Sequence, residues 1–235
     1  MLRFDSIRVG DGEPLHCLHC AQGVPSAYHS AAAIAERIRA AAAAWEGHPG
    51  PNVALTGPDP FGHPELPALI AACAEAGAER IALETDGGAL GAYRNAEGVF
   101  RAGVRHLWLR VLAAGPLGDE LSGHRDLGAS VKAGLRTYLD VADRDGAVAA
   151  VTALVPVCRH NLAVLPATVA ALASWGVHAV RLSSTSAPLP SSAAGVIAAA
   201  CDTGMVNRLW VETDGTLPLP GSHRLHAVRD GACND

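Results

Sequence analysis

From Glu13 to Cys20 the chain reads Glu13-Pro14-Leu15-His16-Cys17-Leu18-His19-Cys20, with two thiols and two imidazoles in five successive positions. Thiolate and imidazole together suit zinc or iron-sulfur chemistry, whereas calcium and magnesium want oxygen. Cys17 and Cys20 alone make only half of a closed metal site, and the same pair is compatible with inert or redox-active thiols. A thioredoxin-like redox pair needs a helix starting directly behind the first thiol, and none is evident. Near the other end, His223 and His226 are spaced H-x-x-H. With Cys17 and Cys20 they make four zinc-type ligands, provided the tail folds back over the loop. Cys73, Cys158, Cys201 and Cys233 stand singly, unlike the framework of a secreted disulfide protein. Cys73 and Cys201 read as small buried apolar residues. Cys158 ends a predicted strand and is the thiol best placed to join a site built at strand ends.

The elements that must position these groups recur regularly. β-branched and leucine-rich runs at Leu2 to Val9, Val53 to Thr56, Arg80 to Thr85, His106 to Leu112, Val151 to Val157, His178 to Ser183 and Arg208 to Thr213 predict six or seven strands. Helical patterns lie between them. Ser30 is placed to cap a helix whose Ile34, Ile38 and Trp45 share a face and whose stop is Gly47. Further stripes are Leu66, Leu69, Ile70 and Cys73, then Val131, Leu135, Tyr138 and Leu139, then Leu162 to Trp175. Strand and helix in alternation predict a parallel sheet in one α/β domain, without distinguishing a barrel from a doubly wound sheet. In both, sites form at the C-terminal ends of strands. Thr56, Glu84, Thr85, Arg110, Asn161, Ser183, Ser184, Glu212, Thr213 and Asp214 all fall there. Glu84-Thr85-Asp86-Gly87 is echoed by Glu212-Thr213-Asp214-Gly215 at the end of a later strand.

Composition narrows the partners. The 235 residues are 49% hydrophobic and 17% charged with a net charge of -5, which excludes disorder driven by charge. The 18 basic residues, of which Lys132 is the only lysine, are scattered singly, so no row of phosphates is matched and nucleic acid is not an expected partner. No window holds the ~18 unbroken apolar residues of a membrane span, and the chain reads as cytoplasmic.

The cysteine loop resembles that of the radical S-adenosylmethionine enzymes, commonly Cys-Asn-Leu-x-Cys-x-His-Cys, with Leu15, Cys17, His19 and Cys20 at the matching positions. The resemblance extends to Asn52-Val-Ala-Leu-Thr56-Gly57-Pro58-Asp59-Pro60 and His63-Pro64-Glu65-Leu66, similar to the family's second strand and its Gly-Gly-Glu-Pro segment. Glu84-Thr85-Asp86-Gly87 is similar to its Glu-Thr-Asn-Gly. The resemblance covers most of the chain and implies a partial (β/α)6 barrel over 1–235, with a short degenerate extension from about residue 214. It also implies a four-iron four-sulfur cluster on three cysteines, S-adenosylmethionine on the fourth iron, and a 5′-deoxyadenosyl radical.

Three departures bear on function. Glu13 stands at the first cysteine position, and a carboxylate suits cluster iron less well than a thiolate. Pro58 and Asp59 replace the second glycine and the glutamate, and proline removes one N–H from the segment that meets the cofactor. Leu219 stands where an auxiliary-cluster extension has cysteine. Two main readings stay open. In one, a degenerate barrel is a catalytically inactive partner or substrate-binding protein in peptide or small-molecule modification, with Thr56, Gly57, Asp59, Glu84, Thr85 and Arg110 lining a cleft for S-adenosylmethionine or a peptide. Its partner would be an intact radical enzyme or a precursor peptide. In the other, Glu13, Cys17 and Cys20 hold an atypical cluster in a working radical enzyme. Zinc on Cys17, Cys20, His223 and His226 is the third. For Arg110, a salt bridge to Glu84 competes with a ligand contact.

Overall fold

The computed structural model describes residues 4–11, 27–45, 52–185 and 188–219. The chain passes through β1 (Asp5–Arg8), two short strands β2 (Gly10–Asp11) and β3 (Ala27–Tyr28), and helix α1 (Ala31–Ala43). Then follow β4 (Asn52–Thr56), α2 (Leu66–Glu75), β5 (Arg80–Thr85), α3 (Tyr93–Arg101) and β6 (Val104–Arg110). Two helices, α4 (Pro116–Ser122) and α5 (Leu127–Arg144), precede β7 (Ala150–Val157). The remainder is α6 (Leu165–Ser174), β8 (Ala179–Ser184), α7 (Ala193–Val206) and β9 (Trp210–Thr213).

Seven strands form one parallel sheet in the order β1-β4-β5-β6-β7-β8-β9, while β2 and β3 pair only with each other. β1 and β9 are the two edges, so the sheet is an open partial barrel, the α/β architecture expected from the sequence. Its burial pattern removes the ambiguity with a doubly wound sheet. Val53, Ile81, Leu107, Val151, Val180 and Val211 belong to one continuous core with Ile34 and Ile38 of α1, Leu69 and Ile70 of α2, Leu135 of α5, Val169 of α6 and Ile197 of α7. These strand residues lie on one face by register. The helices therefore cover a single face. On the other face, alternate residues of β6, β7 and β8 stay half-buried, whereas a doubly wound sheet buries both faces. Full burial of Leu55, Leu83, Leu107 and Leu109 stabilises the sheet by roughly 1.5–3 kcal/mol each.

Ser30 caps α1 as expected, its hydroxyl accepting the Ala33 N–H at 3.3 Å. Trp45 lies two residues past the helix rather than on its face, and its indole N–H donates to the Asp5 carboxylate of β1. Gly47 falls outside the described residues. α7 carries no clear stripe in the sequence, because an alanine-rich helix offers little contrast between faces. Cys73 and Cys201 are both buried, and burial pushes the Cys73 thiol up to about 12. Among the described residues no helix is long and apolar enough to cross a membrane.

Candidate functional site at the strand ends

Gly10 pairs with Tyr28 and Asp11 with Ala27, so residues 12–26 leave and rejoin the fold at one place. Glu13, Cys17 and Cys20 lie within that span, outside the described residues, as do His223 and His226. The base from which the span springs is firmly fixed. Val9 N–H donates to Thr56 O at 2.8 Å and His29 N–H to Val9 O at 2.9 Å. Tyr28 Oη donates to Asp59 O at 2.8 Å. His63 accepts the Glu65 N–H on Nδ1 at 3.0 Å, which leaves Nε2 to donate to His29 O at 3.0 Å. A Cβ on Gly10 would come within 2.2 Å of Ala27 O and 2.9 Å of Pro58 Cγ, so only glycine lets the ladder lie against the Gly57–Asp59 segment. The β2–β3 ladder that flanks the span therefore lies beside the Gly57-Pro58-Asp59 turn, although Gly10 and Gly57 are 47 positions apart in the chain.

That turn is held by its own carboxylate. Asp59 Oδ1 accepts the Phe61 N–H at 3.0 Å, and Oδ2 accepts the Thr85 hydroxyl at 2.7 Å and the Asp86 N–H at 3.3 Å. Burial, and after it the neighbouring Asp86 carboxylate, push the Asp59 carboxyl up to about 7 against the opposing hydrogen bonds. Burial and Asp59 likewise raise the Tyr28 phenol. Thr56 shares a hydrogen bond with Ser6 at 3.0 Å. Thr85, fully buried, also accepts the Gly87 N–H at 2.9 Å. Glu84 receives the Arg110 guanidinium from β6, so the salt bridge weighed from the sequence is formed. Asp86 and Arg110 line a small cleft of about 20 Å³ that also includes Asp119 and Trp175. Of the six residues expected to line a cleft, Asp59 bonds Thr85 and Glu84 pairs with Arg110, Thr56 bonds Ser6 instead, and only Arg110 lines this cleft.

Other strand-end residues brace the fold. Asn161 is buried, donates to Leu112 O and Pro156 O at 2.7 Å each, and accepts the Cys158 N–H at 2.9 Å. Cys158 is itself buried at the end of β7. At β9, Glu212 pairs with Arg181 of β8 at 2.5 Å. Asp214 accepts the Ser184 N–H at 2.7 Å and the Thr216 hydroxyl at 2.7 Å. Sequence reasoning missed the roles of Tyr28 and His63 because both act across the β2–β3 ladder, which two-residue strands do not announce. Among the described residues no three His, Cys, Asp or Glu side chains cluster as a metal site. Both Asp59 oxygens are engaged within the chain, one bond on Oδ1 and two on Oδ2.

No family model and no curated protein matches the chain. Solved structures do. SuiB of Streptococcus suis superposes with a TM-score of 0.68 at 14% identity, over 89% of this chain and 49% of SuiB. The complex of SuiB with its precursor peptide SuiA gives 0.64 at 13% identity, over 89% of this chain and 48% of that one. The enzyme anSMEcpe with bound AdoMet gives 0.63 at 12% identity, over 88% and 64%. The chain spans about half the length of SuiB. At these identities the likeness establishes architecture, the open partial barrel that this chain shares with SuiB and anSMEcpe.

Proposed function

We propose that this chain is a radical-SAM-type barrel that serves as a catalytically inactive partner or substrate-binding protein in a peptide or small-molecule modification pathway. The observation that carries the reading is the Asp59 carboxyl. It occupies the position of the family's glutamate, yet it is turned inward onto Phe61, Thr85 and Asp86 and is raised toward neutrality. An aspartate so held braces the β4 and β5 ends against each other instead of offering a charge to a ligand's amino group. Glu13 and Pro58 support the same reading from the sequence, one as a poor cluster ligand and the other as a lost N–H. The cleft proposed for a ligand is the one lined by Asp86, Arg110, Asp119 and Trp175. A precursor peptide or an intact radical enzyme is the proposed partner, in keeping with peptide complexes of SuiB and anSMEcpe among the similar folds.

The second reading, an active enzyme with a cluster on Glu13, Cys17 and Cys20, is favoured by one observation: the base of the 12–26 span lies against the Gly57–Asp59 turn. Anaerobic reconstitution with iron and sulfide, followed by iron counting and electron paramagnetic resonance, separates the two. The partner reading expects no four-iron signal, or one indifferent to S-adenosylmethionine. A reduced four-iron signal that changes on adding S-adenosylmethionine overturns it in favour of the enzyme. Stoichiometric zinc in protein purified without added metal overturns it in favour of the set Cys17, Cys20, His223 and His226.

A further inference from the structure

We draw no further inference here: the strongest candidate, the apolar cleft between α7 and the sheet-edge strand β9, walled by Cys201, Met205, Leu209, Val211 and Thr213, carries none because nothing in the structure shows what covers it.

Discussion

Glu84-Thr85-Asp86-Gly87 closes β5 in the interior of the sheet, and Glu212-Thr213-Asp214-Gly215 closes β9 at its edge. Locally the two ends are built alike. Each glutamate pairs with an arginine of an adjacent strand. Each aspartate accepts the N–H two residues on, Gly88 or Thr216, and each glycine takes a left-handed φ, +81° and +77°. They part company where neighbours decide. Thr85 is satisfied on both sides by Asp59 and Gly87, whereas Thr213 has no partner. A four-residue word thus specifies a turn and an ion pair, and its position in the sheet specifies whether the threonine is a brace or an open donor.

The largest contrast is expected at the ion pairs. Glu84→Ala should destabilise the fold by about 3 kcal/mol in urea unfolding, because Arg110 is three-quarters buried, its side chain 25% exposed. Glu212→Ala should cost about 1 kcal/mol, since the Arg181 side chain is 41% exposed and turns to water. Equal losses would break the idea that sheet position sets the cost. Next come the carboxyls. Asp59 in the folded chain keeps its proton up to about pH 7, against 3.8 when unfolded. Its contribution is therefore fully present below the unfolded value and is lost as pH rises through about 7. Asp59→Asn should flatten that slope in melts taken from pH 4 to 8. Asp214 has the opposite sign: burial would raise it, but bonds from Thr216, Ser184 and Leu217 hold it low, so its contribution is present at neutral pH and lost on acidification.

The threonines give a smaller effect with a change of sign. Thr85→Val should cost about 1–3 kcal/mol by orphaning its partners, while Thr213→Val should be neutral or stabilising. Smallest is the difference between Gly87→Ala and Gly215→Ala. Both pay the left-handed backbone penalty of about 1 kcal/mol, and Gly87 adds a methyl 3.0 Å from Val131 Cγ2 where Gly215 meets nothing within 4 Å. Thermal melts of the pair should differ by a few degrees.

The sheet was legible because its strands announce themselves as apolar runs closed by polar residues, and the strand-end location of Glu84, Thr85 and Arg110 followed from that alone. What the sequence could not show depends on contacts across the chain. The inward turn of Asp59 is decided by a threonine 26 positions away, and the clamp of Tyr28 and His63 by a ladder of two-residue strands. The echo of Glu-Thr-Asp-Gly was visible, but the difference between its two copies was not, since nothing in Thr213 itself tells that its outer side faces an edge. α7 was hidden for a simpler reason: alanine on every face leaves no period to read.

With β2 and β3 set aside, strands occupy the sheet in the order in which they are synthesised. Each β–α unit leaving the ribosome therefore finds its partner already in place, and no early strand waits with a bare edge for a distant one. β9 is the last strand of the sheet to be made, so its pairing with β8 is the step that completes the sheet among the described residues.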